Sequence, residues 1–397
     1  MGGLNPMSQQ FHRDIESELL SLVKEYPVVT ITGPRQSGKT TLVKKVFPNK
    51  TYINMTLREN QVLAEEDPTA FFSQFQDGCI IDEVQLAPGI LAYVQNIVDN
   101  ADRQGMFILT GSNQLALSNA ISQSLAGRTA LLSLLPLSIR ELMQANIDLT
   151  LDEYLLKGFM PRIYDKSQDP TKSYRNYLQT YLERDVRELI NLTSQTNFNR
   201  FLKLCAGRIG QLINYDSLAT DVGVSSNTIK DWLSVLEASY IIFRLQPYHN
   251  NFGKRLIKTP KIYFTEVGLA TYLLGITSVQ QLERDPLRGS LIENLVILEL
   301  LKTQYNQGKD PNLYFYRDQQ QREVDIIAQV GEELIPIEIK SAMTITSHML
   351  TNIKYFSQLA FEKVQNSYLI YTGETEQRVG HLRVLNFKNA YSILSEE

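Results

Sequence analysis

The sequence predicts an α/β protein: a three-layer domain on a parallel sheet, then a helical and helix–turn–helix region, then a second α/β domain. Three observations predict it. Between Ser8 and Leu149, short apolar runs (VVTIT, YINM, CIID, FILT) alternate with amphipathic stretches, as strands buried on both faces alternate with helices. From Thr150 to Ser194 the spacing turns helical, most clearly in YRNYLQTYLERDVRELINL. From Leu287 onward strands and helices alternate again.

Composition bounds the answer. A chain of 397 residues is long enough for two to four domains, and 43% hydrophobic residues can bury several cores. Charged residues make up 21% and the net charge is −4, which excludes a disordered polyampholyte. It also argues against a surface that grips nucleic acid all round, while leaving room for a local basic groove. Cys79 and Cys205 sit in apolar contexts with no metal-knuckle spacing or disulfide framework, as in a reducing compartment. No run approaches the roughly 18–20 apolar residues of a membrane span. The N-terminal stretch has no apolar signal core; Met1–Pro6 reads as a leader, with Met7 a second start. The expectation is a soluble cytoplasmic protein with no membrane partner.

Taken in order, IESELLSLVKEY is an amphipathic helix and VVTIT a buried strand that stops at Gly33. GPRQSGKTTL follows and fits G-x-x-x-x-G-K-[ST] with Gly33, Gly38, Lys39 and Thr40. Gly33 and Gly38 let the loop wrap, so that the backbone N–H groups of Pro34–Thr41 residues other than proline (Arg35, Gln36, Ser37 and Thr41 among them) can turn toward phosphates. The helix starting near Lys39 adds its positive end. Lys39 is placed for the β- and γ-phosphates and Thr40 for Mg²⁺. The strand–loop–helix context that the motif demands is present.

CIIDEVQ reads as a strand ending in two carboxylates. Asp82 is placed to hold Mg²⁺ and Glu83 to polarise the attacking water. Tandem carboxylates favour water over another phosphoryl acceptor, which argues against a small-molecule kinase. FILTGSNQ is another strand with a polar end, where either Ser112 or Asn113 is a candidate to orient the water. Arg128, in LAGR, is either a trans-acting finger across a subunit interface or a solvated arginine.

The run GPRQSGKTTL, IIDEVQLAP, LTGSNQLAL, SLAGR and LPLSIREL resembles the bacterial and archaeal AAA-family ATPases that carry a characteristic C-terminal domain of unknown function. The likeness continues through KGFMPRIY, YLERDVREL, LATDVGVSSNTIKDWLSVLEASYII, KTPKIYFTEVGL, GSLIENLVILEL and EVDIIAQVG…IPIEIK, nearly the whole chain. It implies ATP with Mg²⁺, and no guanine-reading N-K-x-D element stands against that. One departure is visible: Glu266 stands where the family has an aspartate. The expected boundaries are a P-loop domain at 8–150, a helical connector at 151–200, a winged helix–turn–helix at 201–285 and a nuclease-like domain at 286–397.

In DSLATDVGVSSNTIKDWLSVLEASYIIFRL, Leu218, Ala219 and Val222 mark one helix, Gly223 the turn, and Ser225 or Ser226 the cap of a second helix. IIFRL and KIYF would form the wing. The second helix offers Asn227 and Lys230 beside Asp231 and Glu237, and Lys254, Arg255, Lys258 and Lys261 follow where they could touch phosphates. Two readings stand: a DNA-binding module, or a packing and partner-binding one.

GSLIENLVILELLK reads as a helix with one apolar face and carries Glu293. LYFYRD, EVDII and LIPIEIK read as strands. Period two puts Glu338 and Lys340 on one face, and Asp325 on the neighbouring strand lies within reach. Such a set suits Mg²⁺ or Mn²⁺ and resembles the PD-(D/E)xK restriction-endonuclease-like fold. Asp325, Glu338 and Lys340 are then a structural ion cluster, a metal site that cuts DNA or RNA, or unrelated surface charges. At the level of the whole chain, three functions follow: an ATPase whose nucleotide cycle drives its C-terminal half, an ATP-regulated nuclease, or a nucleotide-bound scaffold that engages a protein partner or a second copy.

Overall fold

The computed structural model describes residues 11–112, 121, 123–181, 195–248 and 258–395. Its first domain is a five-stranded sheet in the order β2-β3-β4-β1-β5. The strands are β1 (Val28–Thr32), β2 (Tyr52–Asn54), β3 (Ile80–Asp82), β4 (Phe107–Gly111) and β5 (Thr129–Ser133), all parallel. Val28, Ile81 and Phe107 enter one core while Val29, Ile80 and Ile108 enter another. That alternation makes the three layers, because successive strand side chains point to opposite faces. β5 had no sequence signal of its own. It is an edge strand with Leu131 exposed, so it lacks the continuous apolar run of β1 and β4.

A helical stretch follows, with helices Leu151–Lys157, Pro161–Asp165 and Pro170–Tyr177. Most of the YLERDVREL segment and of its expected helix lies outside the described residues, which stop at Tyr181. Helices Gln195–Ala206, Tyr215–Val222 and Ser226–Ala238 come next. Gly223 makes the turn at φ 82°, a left-handed conformation that glycine adopts without cost, and the Ser225 hydroxyl caps the following helix. Phe198, Phe201 and Trp232 pack edge to face where these helices meet.

β6 (Ile242–Pro247) and β7 (Lys261–Phe264) form the antiparallel hairpin expected after the helices. It is not a free wing. β6 pairs in parallel with β8 (Leu313–Arg317), so the hairpin is the edge of an eight-stranded sheet, β12-β13-β11-β10-β9-β8-β6-β7. The other strands are β9 (Glu323–Val330), β10 (Glu333–Lys340), β11 (Ser367–Tyr371), β12 (Gln377–Val379) and β13 (Leu382–Asn386).

The helix Arg288–Asn306 departs from the single apolar face expected of it. It is buried nearly all round, and its polar Asn294, Glu299 and Lys302 are buried with the rest. Each is satisfied: Asn294, for example, bonds both the N–H and the C=O of Phe264 at 2.8 Å. Glu266 is a junction of the same kind. Its carboxylate accepts from the N–H groups of Phe159 and Gly268 and from the Tyr174 hydroxyl. Among the described residues, no helix is long and apolar enough to cross a membrane.

Candidate functional site

The phosphate loop leaves the C-terminal end of β1, where a parallel sheet collects its ligands. Gly33 sits at φ 145°, and a Cβ there would lie 2.1 Å from the Leu134 carbonyl oxygen. Gly38 at φ 99° leads into the helix Lys39–Val46. These two backbone requirements explain both motif glycines. Lys39 is buried, and its ammonium donates to the Gly33 and Pro34 carbonyls at 2.9 Å each. Burial pulls its pKa down to about 8, against the opposing pull of Glu83 and Asp82.

The second half of the site comes from β3 and β4. The Thr40 hydroxyl donates to Asp82 at 2.9 and 3.1 Å, so the two expected Mg²⁺ ligands meet. Tyr52 at 2.6 Å and Thr110 also donate to Asp82. Thr110 can do so because β4 lies between β1 and β3. Glu83 follows at φ 58°, a left-handed conformation that a non-glycine residue adopts at a cost. Its carboxylate accepts from Ser112 at 3.0 Å and from Gln85. Asn113 lies outside the described residues.

The loop lines a cavity of about 590 Å³ with Arg35, Gln36, Gly38, Lys39, Thr40 and Thr41. Phe11, Arg13, Leu137, Pro161, Arg162, Lys166, Glu83 and Leu86 also line it. The residues fit a nucleotide with Mg²⁺. Ser37 Oγ is buried with no hydrogen-bond partner among the described residues, and Thr40 with Asp82 forms an all-oxygen donor set. Pro34 contributes its carbonyl to Lys39.

Arg128 is not brought to this cavity. It precedes β5, at the opposite end of the sheet from the loop, and its guanidinium is held by Asp99 at 2.5 and 2.9 Å.

Sequence reasoning missed Arg13. It is buried and donates to the Ser37 carbonyl at 2.8 Å, the Leu135 carbonyl at 2.7 Å and Glu141 at 3.0 Å. No motif surrounds it in FHRDI, so nothing local marked it. Arg162 and Lys166 were missed for the same reason, since they reach the cavity only through folding of the helical stretch.

At the C-terminal cluster, β9 and β10 bring Asp325, Glu338 and Lys340 together. The Lys340 ammonium lies 2.6 Å from Glu338 and 3.9 Å from Asp325, which also accepts from the Ile339 N–H at 2.8 Å. Burial, then the charge of Asp325, pushes Glu338 up to about 8. Glu293 stands beside this group, held by Lys261 at 3.2 Å and the Tyr263 hydroxyl; burial raises it to about 7, and the charge of Asp325 adds to the rise against the pull of Lys261. Two ammonium groups thus stand among the carboxylates. Among the described residues no three acidic, histidine or cysteine side chains converge to hold a metal ion, so the expected ligand set Glu293, Asp325, Glu338 and Lys340 is not assembled as one.

Lys261 corrects a further expectation. It was to touch phosphate from the wing, but it is 3% exposed and also pairs with Glu323 at 2.6 Å. Burial lowers the ammonium's pKa, and Glu293, Glu323 and Asp325 more than reverse that, so it ends raised. Lys258 is exposed, whereas Lys254 and Arg255 lie outside the described residues. Asn227, Lys230 and Asp231 are exposed on their helix, while Glu237 is tied to Arg244 at 2.8 Å.

The fold and the loop define a P-loop ATPase domain of AAA type. Residues 25–143 match the family described as AAA domain, 148–280 a domain of unknown function (DUF8612), and 288–390 another (DUF4143). An uncharacterized protein of Mycobacterium tuberculosis is 32% identical over 84% of this chain and 74% of its own length. An uncharacterized protein of Haemophilus influenzae is 22% identical over 86% of this chain and 93% of its own. The chain therefore belongs to the family of AAA-domain ATPases that carry DUF4143 at the C-terminal side. Among solved structures, the Walker-type ATPase of Pyrococcus abyssi is similar at a TM-score of 0.45 and 16% identity, over 68% of this chain and 99% of that one. A signal transduction ATPase with numerous domains from Pyrococcus horikoshii is similar at a TM-score of 0.23 and 14% identity, over 76% and 49%. At those scores neither bears on what this chain does.

Proposed function

We propose that this chain is a Mg²⁺-dependent ATPase whose nucleotide cycle controls its C-terminal half. The observation that carries the reading is the meeting of Thr40 with Asp82 at 2.9 Å, beside Glu83 and at the mouth of the glycine-bounded loop. Lys39 and the loop amides would hold the phosphates, and Thr40 with Asp82 the Mg²⁺. Bound Mg²⁺ supplies positive charge against the phosphate oxygens. Glu83 accepts a proton from the attacking water, and Ser112 orients the Glu83 carboxylate. Phosphate release from ATP tests this. Lys39→Ala abolishes nucleotide binding, and Glu83→Gln keeps binding while slowing hydrolysis by about 10²–10⁴-fold. A chain that releases no phosphate with Mg²⁺, or a Glu83→Gln variant as fast as wild type, sinks the reading.

A second reading, an ATP-regulated nuclease, is favoured by one atom: Glu338 Oε2 is buried with no hydrogen-bond partner among the described residues, beside Lys340 and Asp325. A divalent cation there would have to move Lys340 off Glu338. Cleavage of single- and double-stranded DNA and RNA with Mn²⁺, lost in Lys340→Ala and Asp325→Ala, is the expected result. No cleavage of any substrate leaves the cluster as an ion-paired structural element. For the helix Ser226–Ala238, the exposed trio Asn227, Lys230 and Asp231 is too poor in donors to read bases, which supports packing over DNA recognition.

A further inference from the structure

We propose that Arg13 is a positioning residue for the phosphate loop, and that a buried polar chain running from it through Glu141 to Glu299 and Lys302 links the state of that loop to the helix Arg288–Asn306. The proposal deepens the nucleotide-driven reading above and rests on it for its ligand.

Arg13 precedes the stretch that matches the AAA domain, yet it is locked into the loop. One arm of its guanidinium holds the carbonyl of Ser37, the residue before Gly38, and the other holds Leu135. A guanidinium fork fixes two acceptors in one plane, so these bonds set the height of the loop over the cavity. A Cβ at Gly38 would come within 3.3 Å of Arg13, so guanidinium and loop are already in close approach.

Arg13 is aimed by Glu141, which accepts from its Nε at 3.0 Å and from the Asp14 N–H at 2.8 Å. Glu141 closes a capping box with Ser138 at the start of the helix Ile139–Gln144. The next residue, Ile139, donates its N–H to Glu299 at 2.8 Å. Lys302 then bonds Glu299 at 2.9 Å and the Leu137 carbonyl at 2.7 Å. Glu141, Glu299 and Lys302 are each at most 2% exposed. A buried carboxylate or ammonium cannot exchange its partner for water without a large cost, so such a chain moves as a unit.

The far end gives the chain its consequence. Glu299 and Lys302 lie on the helix that also carries Glu293, which is about 9 Å from Glu299 along the axis at about 1.5 Å per residue. Closure of the loop on phosphates shifts the Ser37 carbonyl, and that displacement reaches the helix through Arg13, Glu141, the Ser138–Ile139 main chain and Glu299. By linkage, a helix position that bound nucleotide favours must in turn favour nucleotide binding by the same factor.

The test uses the full chain, a fluorescent ADP, ATP hydrolysis, and amide hydrogen exchange of residues 33–42 without nucleotide. Glu299→Gln keeps the shape and the Ile139 bond but removes the charge, and Lys302→Met removes the Leu137 bond. Each is expected to shift nucleotide affinity by about 5-fold or more and to speed exchange in the loop. Arg13→Lys, which keeps the charge but not the fork, raises KM more than it changes the melting temperature. The Arg13→Lys, Glu299→Gln double variant shows less than the sum of the two effects. If both helix variants fold and leave loop exchange and nucleotide affinity at wild-type values, or if the double variant is additive, the proposal is overturned. If wild type binds no nucleotide, the ATPase reading fails by itself, and loop exchange in Glu299→Gln still decides whether the chain positions the loop.

Discussion

At the residue scale, burial sets the charge behaviour of Lys39. Burial lowers its pKa from 10.5 to about 8, so its folded value lies below its unfolded one. The unfolded chain then holds more protons between those two values, and stability of the nucleotide-free protein rises with pH across that window. Nucleotide affinity does the opposite, because the ammonium that pairs phosphate loses its proton above about 8. Melting temperature and fluorescent-ADP titrations from pH 7 to 10 read both slopes, and Lys39→Met should flatten them. Gly33→Ala is a purely steric counterpart. Its Cβ would meet the Leu134 carbonyl at 2.1 Å in a backbone region that alanine avoids, so the loop must move and ADP binding should be lost while the rest of the domain folds.

At the element scale, the acidic cluster behaves in the opposite sense to Lys39. Burial raises Glu338 to about 8 and Glu293 to about 7, above their ordinary 4.5. Groups raised in this way stabilise the fold below about 4.5, and the contribution is lost as pH rises through 7 to 8. Unfolding followed at the single tryptophan, Trp232, should show stability falling between pH 5 and 8, with a shallower slope in Glu338→Gln. The buried helix Arg288–Asn306 supplies a second test. Asn294→Leu strands both main-chain groups of Phe264, at a cost of about 1–3 kcal/mol for each group. Denaturant titration measures that loss, and a change under about 1 kcal/mol would mean Phe264 finds other partners.

These elements also show where sequence reading succeeds. β1, β3 and β4 were legible because burial on both faces forces continuous apolar runs. β5 was not, since an edge strand needs only one apolar face. The helix Ser226–Ala238 was legible from its cap at Ser225 and the glycine before it. Lys261 was misread because a lysine in a short strand looks solvent-facing until folding brings Glu323 of β9 and Glu293 of the helix Arg288–Asn306 to it.

At the scale of the whole molecule, the two halves are joined by hydrogen bonds from a single hydroxyl as well as by the buried ionic chain. Tyr240, at φ 55° just before β6, bonds Thr32 at 2.7 Å and Ser133 at 3.1 Å. Thr32 is the residue before Gly33, so the start of the phosphate loop touches the base of the C-terminal hairpin. Tyr240→Phe should cost about 1–2 kcal/mol. It should also weaken the response of Trp232 fluorescence to ADP, and an unchanged response would place the communication elsewhere.

The sequence by itself determined the phosphate loop, the strand carboxylates Asp82 and Glu83, and the helix–turn–helix. Each is a local pattern whose spacing is set by one loop, one strand or one turn. Only the tertiary structure decided what Arg13, Arg162, Tyr240, Glu299 and Lys261 do. Their partners lie far away in the chain, and a buried polar group takes its meaning from the group that satisfies it rather than from its neighbours in sequence.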